Sequence, residues 1–146
     1  MHLEGSFTVR APREHVWSFF LDPHALASCI DDPHTIEVVD ENTFKGQVKS
    51  GVGFIRGTFT GLATIEERVP PERGRIKAHG SGMGSAFDAN STIELSESGG
   101  FTAVRWQAEV VLSGMIASVG ARLLHGTIDK KTNEFFENAR KKLEDG

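Results

Sequence analysis

Residues 114–143 read GMIASVGARLLHGTIDKKTNEFFENARKKL, and this stretch decides the fold. It contains no proline, and as one continuous helix it would extend roughly 45 Å, about twice the usual helix length in a small globular domain. The first half is mostly apolar, whereas charged residues are frequent from Asp129 onward. A helix of this length is stabilised mainly by packing, so it needs a broad apolar surface to lie against.

The residues before this helix predict a sheet that is interrupted once by helices. Residues 3–10 alternate between apolar and polar side chains, as in a half-buried strand. Pro12 and Pro23 each suit the first turn of a short helix. A pair of prolines predicts a loop over residues 69–74, and Gly99-Gly100 indicates a hairpin. The other predicted strands cover residues 36–40, 43–50, 54–68, 75–81, 86–97 and 101–113.

This order of elements predicts an α+β fold. We expect a strongly curved, seven-stranded antiparallel sheet around the long C-terminal helix, with two short helices between strands 1 and 2. An open sheet would leave its apolar face in water, and only the last helix is long enough to cover it.

Length, composition and charge restrict the class of protein. The chain has 146 residues, enough for a substantial core, and we expect one domain over residues 1–146. A net charge of −4 gives no support to nucleic-acid binding. Cys29 is the only cysteine, so an intrachain disulfide is excluded. With neither a signal-peptide core nor an apolar stretch of membrane-spanning length, we expect a cytoplasmic protein.

Small side chains recur in the middle of the predicted strands, on the apolar side. They are Gly57, Gly61, Ala63, Ala78, Gly80, Ala89, Ser91 and Ala108. In one interpretation they let the sheet curl and the helix pack closely. In the other they leave an apolar hollow for a ligand, because a large void lowers stability and is not retained without cause. Under the second interpretation, leucine at Gly57 or Ala108 would fill the hollow and abolish ligand uptake.

The apolar stripe of the long helix changes side along its length. Val119 and Leu123 share one side, and the later apolar residues share another side rotated by roughly a third of a turn. Either the first half of the helix is buried over a wide arc, or the helix bends at Gly126. We expect residues 115–128 to form one wall or lid of the hollow and residues 129–143 to hold the sheet closed.

No pattern of residues predicts catalysis or metal binding. The six histidines lack the spacing of metal ligands, and no nucleophile elbow or phosphate-binding loop is present. His79, Asp88 and Arg105 lie on the polar phase of their strands, where we expect them to face solvent. An enzymatic function would require such groups to point into the hollow instead.

Two segments carry a family resemblance that covers nearly the whole chain. The first is APREHVW at residues 11–17 with Leu21-Asp22-Pro23, Leu26 and Ser28-Cys29-Ile30; the second is GARLLHGT at residues 120–127 with Phe135-Phe136. With these motifs, the chain resembles the CoxG family of carbon monoxide dehydrogenase subunits, which belongs to the START-like, or SRPBCC, helix-grip superfamily. It departs from the family pattern after Ile30, where Asp31-Asp32 replaces the usual Pro-Gly.

The resemblance implies a cavity-bearing protein without a redox centre of its own. CoxG-like proteins are linked to aerobic carbon monoxide dehydrogenases and related molybdenum hydroxylases, with proposed roles in membrane attachment and in carrying a lipophilic quinone. Our leading hypothesis is therefore non-catalytic binding of a quinone or lipid, in a cytoplasmic protein at the inner face of the membrane. Two alternatives stay open, a cyclase- or hydrolase-like enzyme and a pure protein-interaction subunit of an oxidoreductase. The oligomeric state is not determined by the sequence.

The hypothesis assigns large apolar side chains to the walls of the hollow. We expect the ligand to lie beneath the first half of the final helix, where few charged residues occur. The predicted ligand-binding residues are Trp17, Phe20, Phe59, Phe87, Trp106, Leu112, Val119 and Leu123.

Overall fold

The computed structural model describes residues 1–145, which form seven strands, three α-helices and one 3-10 helix. The strands are β1 (His2–Val9), β2 (His34–Val38), β3 (Thr43–Val52), β4 (Ile55–Val69), β5 (Arg73–Gly82), β6 (Ser85–Ser98) and β7 (Phe101–Gly114). The helices are α1 (Arg13–Phe20), α2 (Pro23–Ala27), the 3-10 helix Met115–Val119 and α3 (Ala121–Asp145).

All seven strands belong to one antiparallel sheet, with the order β1-β7-β6-β5-β4-β3-β2. Strands β2 to β7 form a meander, in which each strand pairs with the next, while β1 pairs with β7 at one edge. Gly99 and Gly100 connect β6 to β7 with φ of 60° and 84°, the positive values that a tight hairpin requires. The predicted fold class, a seven-stranded antiparallel sheet with a long C-terminal helix and two short helices, is confirmed.

The two short helices follow local sequence signals. Asp22 caps α2, because its Oδ1 accepts a hydrogen bond of 3.0 Å from the backbone N–H of His24. Helix α1 buries Val16 and Phe20, which are one turn apart, and packs against β6, β7 and α3. The pair of helices thereby covers one end of the sheet.

The C-terminal stretch is not one continuous helix. The chain leaves β7 at Gly114 with φ of 79°, forms the 3-10 helix Met115–Val119, and enters α3 after Gly120 with φ of 104°. Side-chain-bearing residues rarely adopt such values, so glycine permits the change of direction at both positions. The predicted helix start at residue 114 is wrong, because α3 begins at Ala121. Gly126 lies inside α3, which continues without interruption through this position.

Two strands begin two residues earlier than the sequence predicted. Strand β5 starts at Arg73, inside the expected loop of residues 69–74, and its Gly74 is buried. Strand β2 starts at His34 rather than Ile36. In both cases the strand continues past the residues whose side chains alternate between apolar and polar. Strand pairing uses backbone N–H and C=O groups, and every residue except proline has both.

The hydrophobic core consists of two clusters. The larger cluster joins β1, α1 and β7 to the C-terminal half of α3 and includes Val9, Val16, Phe20, Val104, Ala139 and Leu143. The smaller cluster includes Val52, Ile55, Phe59, Ile116 and Leu124. Helix α3 contributes to both, and the space between the clusters contains the candidate site.

Candidate ligand-binding cavity

An apolar cavity of about 550 Å³ lies between the sheet and α3. Its walls combine residues of the larger cluster, such as Phe20, with residues of the smaller cluster, such as Phe59. Strands β3 to β7 supply the wall opposite Ile128 and Phe135 of α3. A pocket of this size and polarity lies within the range of roughly 300–1,000 Å³ that is typical of small-molecule sites.

Short side chains on β6 and β7 leave this space open. Ala89, Ser91 and Ala108 all line the cavity, and Ser91 and Ala108 are direct neighbours in the strand register. Larger residues at these positions would project into the volume that α3 does not fill. The interpretation of small residues as the floor of a hollow therefore applies to β6 and β7.

Two inward-facing glycines, Gly5 and Gly80, behave differently, because aromatic rings lie over them. The ring of Phe87 covers Gly80 so closely that an added Cβ would collide with it. The indole of Trp106 covers Gly5, its register partner on β1, in the same way. Gly57 faces Met83 rather than the cavity, so the expectation that leucine at this position would fill the hollow is wrong. The interpretation of close packing therefore applies to Gly5, Gly57 and Gly80.

An aromatic cluster forms the cavity end that is nearest to the larger core cluster. Trp106 and Phe136 are stacked, with ring centroids 4.5 Å apart and an interplanar angle of 15°. Phe20 and Phe135 contact the same Phe136 ring at centroid distances of 6.2 and 5.2 Å. Offset and edge-on aromatic contacts of this kind are worth about 0.5–1.5 kcal/mol beyond their buried area. This end of the cavity is therefore closed by a closely packed aromatic wall.

The structure brings together five of the eight predicted ligand-binding residues. These five are Phe20, Phe59, Phe87, Trp106 and Leu112, all on the cavity wall. Trp17 instead packs from outside against the larger cluster. Val119 and Leu123 line a separate outer groove, formed with Gly51, Arg122, Gly126 and Lys130. A role in ligand binding stays a prediction for all eight residues.

Residues that the sequence did not single out complete the wall on α3. Ile128, Lys131, Thr132, Phe135 and Phe136 face the cavity. The signal was present in the sequence, because Leu124, Ile128, Thr132 and Phe135 recur at intervals of three or four residues. The predicted cavity side of the helix, with Val119 and Leu123, is the wrong one, because the helix breaks at Gly120 between these two residues.

The Asp31-Asp32 segment fixes the loop after α2 to α3. The Nδ2 of Asn138 donates to Asp31 Oδ1 at 3.0 Å. Asp32 Oδ2 accepts hydrogen bonds from Lys131 Nζ at 2.9 Å and from Ser50 Oγ at 2.8 Å. The hydrogen bond from Lys131 is the main cause that holds the pKa of Asp32 below its usual value, so this carboxylate is ionised at neutral pH. Asp32, Ser50 and Lys131 are called the polar corner below.

The polar residues that an enzymatic function would need lie outside the cavity. His79 and Asp88 form a hydrogen-bonded pair of 2.7 Å, and both side chains are more than half exposed on the outer face of the sheet. Arg105 is exposed as well. Within residues 1–145, no three His, Cys, Asp or Glu side chains converge as metal ligands. The helices in this part of the chain include none that is long and apolar enough to cross a membrane.

An antiparallel sheet closed by a long C-terminal helix is a START-like fold, and solved structures share this fold. A conserved protein from Geobacillus kaustophilus has 23% identity and a TM-score of 0.89, with 98% of this chain and 95% of that chain covered. A START superfamily protein from Mycobacterium smegmatis has 11% identity and a TM-score of 0.72, with coverage of 97% and 98%. The Zhui aromatase/cyclase from Streptomyces sp. R1128 has 12% identity and a TM-score of 0.72, with coverage of 99% and 93%. Identities this low show the fold alone.

Within this class, the model of the CoxG family of carbon monoxide dehydrogenase subunits matches residues 5–144. The chain belongs to the CoxG family. The match confirms the resemblance carried by the motifs at residues 11–17 and 120–127. A search of curated proteins found no match.

Proposed function

We propose that this protein binds a lipophilic, quinone- or lipid-like molecule in the cavity and does not itself catalyse a reaction. In this proposal it serves a carbon monoxide dehydrogenase-type molybdenum hydroxylase, which the family name supports. The observation that carries the proposal is the apolar cavity of about 550 Å³ between sheet and helix.

The energetic cost of the cavity supports a role in binding. Voids in protein cores lower stability by roughly 24 cal/mol per Å³. A pocket of about 550 Å³ leaves many apolar wall atoms without packing partners on the pocket side. A lipophilic ligand would restore the missing contacts, so its affinity would come mainly from burial of its apolar surface.

An exposed apolar end of the molecule supports loading from a membrane. Phe54, Met83, Met115 and Leu123 are between 47% and 66% exposed. They lie at the same end of the sheet, in the β3–β4 turn, the β5–β6 turn, the 3-10 helix and the start of α3. We call these four residues the apolar tip. Ile116, next to Met115, lines the cavity, so the 3-10 helix contributes one residue to the tip and the next to the cavity wall.

Charge at the apolar tip favours an anionic lipid surface as its partner. Arg56 and Arg122 are exposed at this end, and neither forms an ion pair with another residue of the described range 1–145. Unpaired basic side chains beside exposed apolar ones are typical of proteins that bind the membrane interface. A lipophilic ligand would then pass between bilayer and cavity with little exposure to water.

Ligand uptake is tested with a neutral fluorescent probe. Purified protein is titrated with 1-N-phenylnaphthylamine, and the bound probe is then displaced with menaquinone. We expect saturable binding at one site per chain and full displacement. Absence of saturable binding, or binding that menaquinone leaves unchanged, would contradict the proposal.

Membrane docking is tested by flotation with vesicles of phosphatidylcholine, with and without phosphatidylglycerol. Phe54→Ser should reduce binding to the anionic vesicles several-fold, because it removes a large apolar group from the tip. Phe101→Ser is the matched control, since Phe101 is also exposed but starts β7 at the opposite end of the sheet. Equal loss in both variants, or no binding of the unaltered protein, would refute docking through this end.

The interaction-subunit hypothesis predicts a different result. A protein that acts only by docking would retain a molybdenum hydroxylase in a pull-down whether or not the cavity is filled. A carrier would show retention that changes when menaquinone is added. The comparison of the two conditions separates the hypotheses.

A further inference from the structure

Two polar side chains of the cavity wall have their hydroxyl hydrogens engaged by the backbone. Ser91 Oγ donates to the carbonyl oxygen of Ile76 at 3.1 Å. Thr132 Oγ1 donates to the carbonyl oxygen of Ile128, one turn earlier in α3, at 2.8 Å. These groups present no free donor to a ligand, so along these parts of the wall the cavity offers mainly apolar contacts.

The polar corner differs, because its hydrogen-bonding capacity is not exhausted. Ser50 and Lys131 both line the cavity, and both donate to the same oxygen of Asp32. An ammonium group has three N–H donors. Within residues 1–145, the hydrogen bond to Asp32 is the one that Lys131 Nζ makes. Two N–H donors of Lys131, which lines the cavity, therefore have no partner among residues 1–145.

The polar corner also marks where the cavity meets the outside. Lys131 lines both the cavity and the outer groove, and its side chain is 39% exposed. Asp32 lines the outer groove, and its side chain is 36% exposed. A ligand with one polar end would keep that end hydrated or hydrogen-bonded here while its apolar part fills the cavity.

We propose that the polar corner is the head-group subsite of the cavity and that Lys131 donates a hydrogen bond to a carbonyl oxygen of the ligand. This inference rests on the proposed function and adds the chemical class of the head group. Asp32 neutralises the charge of Lys131 and would repel a second carboxylate. The subsite therefore prefers a neutral acceptor, such as a quinone or ketone carbonyl, over an anionic head group such as a fatty-acid carboxylate.

The experiment compares ligands that differ only in the head group. Bound 1-N-phenylnaphthylamine is displaced by decylbenzoquinone or by decylbenzene, which share chain and ring size but differ in the two carbonyl oxygens. The variants are Lys131→Met, which keeps the apolar stem, and the control Lys130→Met, whose lysine lines only the outer groove. We expect Lys131→Met to weaken decylbenzoquinone about tenfold and decylbenzene less than about twofold, since a hydrogen bond to a charged group is lost for one ligand only. Lys130→Met should change neither.

A second variant tests the preference for a neutral head group. Asp32→Asn removes the repelling charge and leaves Lys131 in place. It should increase the affinity for decanoate several-fold relative to the affinity for decylbenzoquinone.

The outcomes separate this inference from the proposed function. Equal weakening of both decyl ligands by Lys131→Met, or no weakening of decylbenzoquinone, would overturn the head-group subsite while the cavity still binds. An unchanged preference in Asp32→Asn would also overturn it. Failure of all the ligands and of the probe to bind the unaltered protein would overturn the proposed function itself.

Discussion

Replacement of Ala108 by leucine tests whether the cavity is space that a ligand uses. Ala108 lies on β7 between Leu3 of β1 and Ser91 of β6, with its side chain on the cavity wall. Leucine adds three carbon atoms, which at about 0.8 kcal/mol per buried methylene contribute about 2.4 kcal/mol. Ordering the leucine side chain costs roughly 0.5–1 kcal/mol. We therefore expect the ligand-free protein to gain about 1.5 kcal/mol, which raises Tm by about 3–6 °C in a domain of this size.

The assay combines thermal unfolding of delipidated protein with titration of 1-N-phenylnaphthylamine. Probe binding should fall at least several-fold in Ala108→Leu, because the new side chain occupies the floor of the cavity. Ala103→Leu is the matched control: Ala103 is exposed on the opposite face of the same strand, where we expect a change within about 0.5 kcal/mol and normal uptake. A loss of stability of about 1–3 kcal/mol in Ala108→Leu would indicate overpacking of a solid core and would refute the reasoning, as would unchanged uptake.

Three further predictions address the helix and its contacts. Gly126→Ala should raise the free energy of unfolding in urea by about 0.5–1 kcal/mol, because Gly126 lies exposed inside α3. Gly120→Ala should lower this free energy by about 1–3 kcal/mol, because φ is 104° at Gly120. Destabilisation by Gly126→Ala together with stabilisation by Gly120→Ala would contradict the assignment of the break to Gly120. Phe136→Ala should lower the free energy of unfolding by about 3 kcal/mol, the low end for truncating a buried phenylalanine, because Phe136 is partly buried and loses both its core packing and its stacked contact with Trp106. A cost below about 1 kcal/mol would contradict this packing. The pair of Asp32 and Lys131 stabilises the fold above the ordinary Asp pKa of 3.8, and this contribution is lost as pH falls through the lower folded pKa of Asp32. The urea midpoints of the unaltered protein and of Asp32→Asn should therefore converge below about pH 3.8. A difference between the two midpoints that stays constant with pH would exclude this ion pair as its cause.

Alternation and glycine placement made most of the sheet predictable. Strand β4 was predicted at residues 54–68 and observed at Ile55–Val69, because its side chains alternate over a long stretch. Gly99 and Gly100 identified the β6–β7 hairpin, since few other residues adopt positive φ at two successive positions. These signals are local, and a single sequence contains them in full.

The start of the final helix could not be predicted, because the backbone N–H groups just before it donate hydrogen bonds to a distant part of the chain. The N–H of Met115 donates to the carbonyl oxygen of Gly84 at 2.9 Å, and the N–H of Ile116 donates to Ser85 Oγ at 2.9 Å. The turn between β5 and β6 thus takes up donors of the segment before α3. An apolar run without proline is compatible with either conformation, and tertiary contacts select the 3-10 helix.

The cavity was predictable on the sheet side and less so on the helix side. Alternation placed Phe59 and Leu112 correctly, whereas Val119 and Leu123 were assigned by a helical period that does not continue through Gly120. The polar corner had no sequence signal at all. Lys131 is 99 residues from Asp32, so only the fold brings the two side chains together.

Direct location of a bound ligand tests the central claim most sharply. Isotope-filtered NMR of methyl-labelled protein with unlabelled decylbenzoquinone reports which methyl groups lie near the ligand. The cavity predicts contacts to the methyl groups of Val110, Leu112 and Ile128, and none to Leu123 in the outer groove. Contacts to Leu123 without contacts to Leu112 and Ile128, or no intermolecular contacts at saturating ligand, would contradict a ligand site between the sheet and α3.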